Sequence, residues 1–143
     1  MMLELLVAGA MVVLTVVIHG FGLALLGAML KLEHLDAEGA SLSLVSLRGV
    51  GLTIGLVLGL FVLHAVEICL YAALFHMLGA VPDFRSAVYF STTTYGAIGY
   101  SDAEIDDSWR LLGGIEGING VLLMGWSTAF FVAVITRLMV RRR

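Results

Sequence analysis

The chain has 143 residues, of which 60% are hydrophobic and only 13% are charged, and its mean hydropathy is +1.03. A soluble domain usually carries about a quarter charged residues, so the surplus apolar side chains indicate a surface that faces lipid. The net charge of −3 gives no support to nucleic-acid binding, and the single cysteine, Cys69, excludes an intrachain disulfide. We therefore predict an all-α integral membrane protein.

The first predicted membrane helix covers residues 1–31. No charged residue lies between Leu5 and Leu30, and about twenty apolar residues suffice to cross a bilayer. This stretch is longer than the central region of a signal peptide and lacks a basic start, which favours a true span. His19 is predicted to be a packing residue within it. The polar residues 32–48 that follow are predicted to form a short cytoplasmic linker.

Two further apolar runs predict an outer helix over residues 49–81 and an inner helix over residues 109–137, followed by a basic tail at 138–143. Basic residues mark the cytoplasmic side, so the linker and the tail predict an N-terminus outside and a C-terminus inside. Glycines recur about every four residues in both runs, which predicts close helix packing. These are Gly51, Gly55 and Gly59, and then Gly113, Gly117 and Gly120.

The segment 82–110, between the last two spans, is neither apolar enough to cross a membrane nor polar enough to be a simple loop. Pro82 and Asp83 suit a helix start. The helix predicted over residues 83–95 would be about 18 Å long, too short to span. A glycine-containing stretch, 96–102, follows it. Irregular backbone is tolerated at membrane depth only where protein or a watery cavity receives it, which predicts a re-entrant loop lining a pathway.

Residues 89–102 read Tyr-Phe-Ser-Thr-Thr-Thr-Tyr-Gly-Ala-Ile-Gly-Tyr-Ser-Asp. This stretch resembles the pore helix and selectivity filter of potassium channels, whose usual filter reads Thr-Val-Gly-Tyr-Gly. Near the end of the third run, Gly-Trp-Ser-Thr-Ala-Phe-Phe resembles small bacterial channel-like proteins. The resemblance implies that residues 49–143 form a pore module of which four copies surround one axis. It also implies a place in a bacterial cytoplasmic membrane.

Each predicted filter residue takes its role from the resemblance. Potassium or another monovalent cation would be held by the backbone carbonyls of residues 97–100, without a cofactor. Asp102 would tie the filter to the pore helix, with Tyr89 as a possible partner. The predicted filter comprises Gly96, Ala97, Ile98, Gly99, Tyr100 and Ser101, and the supporting residues are Tyr89, Thr93, Thr94 and Asp102.

Three positions depart from the family pattern. Gly96 and Ala97 stand where the family has threonines, and Ser101 stands where it has its second glycine. Losing the hydroxyl at Ala97 should weaken the innermost ion site, and a non-glycine residue at 101 costs on the order of 1 kcal/mol per subunit. A cation channel of relaxed selectivity and a non-conducting protein that retains a pore fold are therefore the alternatives.

Ionisable residues inside the spans are candidates for gating or for lining a cavity. His64 and Glu67 lie three residues apart and can pair, or Glu67 can reach Thr92, Thr93 and Thr94 on the pore helix. A structural hydrogen bond and a pH-sensitive gate are the two interpretations. For Glu116 and Asn119 the alternatives are interhelical bonding and contact with ions, and for Gly120 a packing contact or a bending point.

A metal-dependent intramembrane enzyme is the competing class. It would require His19, His64, Glu67 and His76 to converge, whereas a His-x-x-Glu pair offers two ligands and a structural metal site usually has four. No other catalytic motif is visible, so we predict that the protein is not an enzyme. Its expected partners are the lipid bilayer, monovalent cations and three further copies of the chain, with no nucleic acid.

Overall fold

The computed structural model describes residues 1–30, 46–99 and 105–140, and their side chains as far as 137. The described residues form four α-helices and one 3-10 turn: α1 Met2–Met29, α2 Leu47–Met77, α3 Phe84–Tyr95, the turn Asp107–Trp109, and α4 Arg110–Val140. Three helices are long and apolar enough to cross a membrane. The predicted all-α architecture with three such helices is confirmed. The predicted linker 32–48 and basic tail 138–143 lie largely outside the described residues.

Helix α2 ends at Met77, before the predicted limit of residue 81, because a glycine cap stops it. Gly79 has φ +67°, a left-handed conformation that glycine adopts without a steric penalty. The backbone N–H of Ala80 donates to the carbonyl of Phe75 (2.9 Å), and that of Gly79 donates to His76 (3.1 Å). These two bonds form a Schellman motif, which satisfies the last carbonyls of the helix.

Helix α3 begins where Pro82 and Asp83 predict it. Asp83 is the N-cap in extended conformation, and its carboxylate accepts a hydrogen bond from the backbone N–H of Ser86 at 3.0 Å. The hydrogen bonds from Ser86 lower the pKa of Asp83 below its ordinary value. Further along, the backbone N–H of Asp106 donates to the carbonyl of Ala80 at 3.0 Å, which fastens the start of the next segment beside the end of α2.

The described chain divides into two compact units. The first comprises Met1–Ile18 and His64–Met124, and therefore contains all of α3. Its core is a cluster of aromatic and aliphatic side chains from four helices, and Phe75 meets Phe90 edge-on with ring centroids 5.2 Å apart. The buried members include Tyr71, Phe75, Phe90, Tyr95, Leu112 and Leu123.

The second unit comprises His19–Leu63 and Gly125–Arg143. Leu56 and Val134 are its buried core. A Cβ atom on Gly59 would collide with the side chain of Leu26, whereas one on Gly51 would meet nothing within 4 Å. The prediction of close packing is thus confirmed at Gly59, whereas none of the described residues packs against Gly51.

Candidate pore segment and the residues that hold it

The backbone of residues 96–99 turns its N–H groups towards the last turn of α3. All peptide bonds in the described chain are trans. Two carbonyl oxygens of α3, those of Thr93 and Thr94, accept hydrogen bonds from this segment, so these two predicted supporting residues contact it through their backbone. The donors are the N–H of Ala97 to Thr94 (2.9 Å), and those of Ile98 and Gly99 to Thr93 (2.8 and 3.1 Å).

The carbonyls of this segment point away from α3 as a consequence. In a planar trans peptide the C=O of one residue lies opposite to the N–H of the next. With the N–H groups of residues 97, 98 and 99 directed at α3, the C=O groups of Gly96, Ala97 and Ile98 face the other way. Of these three residues, Ala97 and Ile98 are exposed in the single chain and Gly96 is half-buried. The arrangement is a short row of carbonyl oxygens beside a helix end.

Alternating backbone handedness produces this row. Gly96 has φ −74°, Ala97 has φ +55° and Gly99 has φ +61°. Successive right- and left-handed residues align their N–H groups into a concave nest, here filled by the Thr93 carbonyl. Ala97 occupies the left-handed region without being glycine, at a cost of about 1–2 kcal/mol. Strain was predicted from the sequence at Ser101, which lies outside the described residues together with Tyr100 and Asp102.

Helix α4 supports α3 through its glycine face. A Cβ atom on Gly113 would lie 3.1 Å from the ring of Phe90, and one on Gly117 would lie 3.2 Å from the carbonyl oxygen of Thr94. On Gly120 it would collide with backbone atoms of Tyr95. The predicted close packing is confirmed here, and α3 occupies the space beside these three glycines.

Three side chains meet at the C-terminal end of α3. Tyr95, the last residue of that helix, is 1% exposed, and its hydroxyl donates to a carboxylate oxygen of Glu67 at 2.5 Å. Nδ1 of His64 lies 2.9 Å from the same hydroxyl and 3.3 Å from the same carboxylate oxygen. The predicted pairing of His64 with Glu67 is therefore present. Glu67 also reaches α3, at Tyr95, whereas the sequence predicted Thr92, Thr93 and Thr94 as its partners on that helix.

Glu116 contacts α3 one helical turn before Tyr95, at Ser91. Its side chain is fully buried, and one carboxyl oxygen hydrogen-bonds with Ser91, whose hydroxyl also lies 3.2 Å from the carbonyl of Ile68. The other carboxyl oxygen has no hydrogen-bond partner among the described residues. Ser91 thus links three helices around this carboxyl group. Contact of Glu116 with ions stays a prediction.

Asn119 bonds to two other long helices. Its side-chain nitrogen donates to the hydroxyl of Thr15 on α1 at 2.7 Å and to that of Tyr71 on α2 at 3.1 Å. Both bonds are buried, and Thr15 itself donates to the carbonyl of Met11 at 2.9 Å. These contacts are of the interhelical kind, one of the two alternatives for this residue. That Asn119 faces a cavity stays a prediction.

Glu4 is a supporting residue that the sequence analysis missed. One oxygen of its carboxylate accepts hydrogen bonds from the backbone N–H groups of Leu111 (2.7 Å) and Leu112 (3.1 Å) in the first turn of α4. A carboxylate at this position satisfies free N–H groups and complements the positive end of the helix dipole. The contact sets the start of α1 beside the start of α4. Glu4 is more than 100 residues away in sequence, and no local pattern indicates it.

Three other predicted residues, His19, His76 and Tyr89, have the following surroundings. In the second unit, His19 is buried, 3.2 Å from the hydroxyl of Ser127, and its ring meets that of Trp126 at a tilt of 44°, which fits a packing role. His76 packs on Phe84, about 18 Å along α2 from His64 by helix rise. Tyr89 is 54% exposed, and its predicted partner Asp102 falls outside the described residues.

One known protein family matches the part of the chain that contains these residues. The family model described as "Ion channel" matches residues 63–137, just over half of the chain, from the end of α2 through α3 and most of α4. The match includes His64, Glu67, the segment 96–99 and the glycine face of α4. Comparison with curated proteins and with solved structures gives no significant match. The chain belongs to the ion channel family.

Proposed function

We propose that the chain is one subunit of a homotetrameric membrane channel that conducts monovalent cations, with potassium preferred. Its family supports ion transport rather than catalysis, and its three long apolar helices support a membrane location. In this proposal α2 is the outer helix, α3 the re-entrant pore helix and α4 the inner helix. The membrane is a bacterial cytoplasmic membrane, with the N-terminus outside.

The observation that carries this proposal is the direction of the carbonyls in residues 96–98. A cation that leaves water needs oxygen ligands to replace its hydration shell, and backbone carbonyls serve this purpose in potassium channels. One chain offers a single row of such oxygens on one side. Four copies around an axis would turn four rows inward and surround the ion, which is the reason for proposing a tetramer.

Ala97 favours a second candidate, a cation channel of relaxed selectivity. Its side chain has no hydroxyl, and its left-handed backbone disfavours the β-branched threonine that the potassium-channel pattern has there. The innermost site would therefore be built from carbonyls alone. Weaker coordination at that site would reduce the difference in flux between potassium and sodium, although the pore would still conduct.

The test is cation flux through purified protein in liposomes, with potassium and sodium compared under an imposed gradient. Gly99→Ala places a Cβ atom on a left-handed residue, at about 1–2 kcal/mol in each of four subunits, and should abolish or strongly reduce flux. Gly51→Ala is the matched control, since its added methyl group meets no atom of the described residues within 4 Å.

Each outcome of the flux measurement decides between the candidates. Potassium-selective flux that Gly99→Ala removes and Gly51→Ala retains is the expected result. Equal flux of both ions would favour the relaxed-selectivity channel. Unchanged flux in Gly99→Ala would contradict the assignment of residues 96–99. Absence of flux from a verified tetramer would favour the non-conducting protein.

A further inference from the structure

Tyr95 occupies the position from which the carbonyl row begins. It is the last residue of α3, and residues 96–99 follow it directly. The Glu67–His64 pair of α2 holds its hydroxyl, while its backbone lies so close to α4 that Gly120 has no room for a Cβ atom. The residue is therefore fixed from two sides, by polar contacts at its tip and by close packing at its backbone.

The number of hydrogens available in this cluster determines which group donates in each hydrogen bond. A tyrosine hydroxyl has one hydrogen, and the short bond to Glu67 takes it. The contact between His64 Nδ1 and the Tyr95 oxygen then requires a hydrogen on Nδ1. The same nitrogen is 3.3 Å from the carboxylate oxygen, where a hydrogen on Nδ1 is also favourable. We assign the chain of donors as His64 to Tyr95 to Glu67.

This arrangement exceeds what burial of a tyrosine requires. One partner usually satisfies a buried phenol. Here a carboxyl acceptor and a ring donor both engage it. His64 also contacts the Tyr95 ring edge-on, with centroids 5.7 Å apart. The ring of Tyr95 is held in one orientation, and the peptide that starts the carbonyl row is held with it.

We propose that Glu67 and His64 are positioning residues that act through Tyr95 to set the carbonyls of residues 96–98, and so set the preference of the channel among monovalent cations. The inference rests on the proposed function for its effect on permeation. Its geometric part, that the tip of Tyr95 controls the backbone after α3, does not depend on conduction. The two parts can be tested separately.

The permeation test compares potassium and sodium flux in liposomes containing verified tetramers. Tyr95→Phe retains the ring and removes the hydroxyl, and should lower the potassium-to-sodium flux ratio about tenfold, equivalent to about 1.4 kcal/mol. Glu67→Gln retains an acceptor and should keep most of the ratio, whereas Glu67→Ala should behave like Tyr95→Phe. Val66→Ala, at the exposed neighbour of Glu67, is the matched control and should match the wild-type protein. A wild-type ratio in Tyr95→Phe would overturn the proposal.

The geometric test uses nuclear magnetic resonance of the wild-type protein and the same variants in lipid. In the wild-type protein we expect a hydrogen on Nδ1 of His64, and we expect this hydrogen to be absent from Nδ1 in Glu67→Ala. We expect the 13C chemical shifts of the carbonyls of residues 96–98 to change in Tyr95→Phe but not in Val66→Ala. Unmoved carbonyl shifts in Tyr95→Phe would overturn the positioning role whatever the flux. If the wild-type protein does not conduct, the proposed function fails, and moved carbonyl shifts would still support control of this backbone by Tyr95.

Discussion

The glycine face of α4 allows a graded test of how closely α3 and α4 pack. Alanine at Gly120 would collide with the backbone of Tyr95, which cannot move aside as the end of a flexible side chain can. Overpacking of this kind typically costs about 1–3 kcal/mol. Alanine at Gly117 would lie 3.2 Å from the Thr94 carbonyl oxygen, a tighter approach than usual, and should cost less. Gly114 is on the same helix and has nothing within 4 Å of its Cβ position.

Comparing the stability of Gly120→Ala with that of Gly114→Ala separates the cost of the collision with Tyr95 from the general effect of replacing a helical glycine. Both changes replace a helical glycine, so the favourable helix term of roughly 0.5–1 kcal/mol is common to the two and cancels. We expect Gly120→Ala to be about 1–3 kcal/mol less stable than Gly114→Ala, with Gly117→Ala between them. Thermal unfolding in detergent should show the difference at about 4 °C per kcal/mol. Equal melting temperatures for Gly114→Ala and Gly120→Ala would refute the close approach of α4 to Tyr95.

Three further contacts, made by Glu4, Asn119 and Asp83, can be tested by substitution. Glu4→Ala leaves the first turn of α4 uncapped and should lower the free energy of unfolding by about 0.5–2 kcal/mol, whereas Glu4→Gln keeps an acceptor and should lose less, as measured by thermal unfolding. A double-mutant cycle of Thr15→Val with Asn119→Ala should give a coupling of about 0.6 kcal/mol, and zero coupling would contradict the interhelical bond. The lowered pKa of Asp83 means that its cap on Ser86 contributes stability above the ordinary aspartate pKa and loses it as the pH falls through the folded-state value. Melting curves between pH 5 and pH 2 should therefore show less acid dependence in Asp83→Asn than in the wild-type protein, and identical dependence would count against the cap.

The sequence predicted elements whose cause is local. A run of apolar residues is sufficient to indicate each long helix, and the Pro82-Asp83 pair indicates the start of α3, because both signals depend on neighbouring residues alone. The apolar run predicts an end of α2 that is too late. Gly79 ends the helix through its left-handed backbone conformation, and the residues around it are apolar, so hydropathy does not mark this position. The His64–Glu67 pair was predictable because residues three apart share a helix face.

Contacts between distant parts of the chain were not predictable in the same way. Tyr95 joins Glu67 across 28 residues, and Asn119 joins Thr15 across 104. A single sequence gives the chemical need of a buried polar group but not the partner that meets it. The left-handed conformation of Ala97 was equally hidden, because it follows from the hydrogen bonds of residues 97–99 to Thr93 and Thr94 rather than from the identity of alanine.

The polar residues of α4 have a consequence for how the protein is made. Glu116 and Asn119 contribute to making this helix the least apolar of the three long ones, and polar side chains inside a span oppose its insertion into the membrane. The partners of these two residues, including Thr15, Tyr71 and Ser91, precede α4 in the chain and are synthesised before it. Helices α1 to α3 therefore provide a polar template in the membrane for the last helix. A fragment containing α4 alone should insert poorly, and co-expression with residues 1–99 should rescue it.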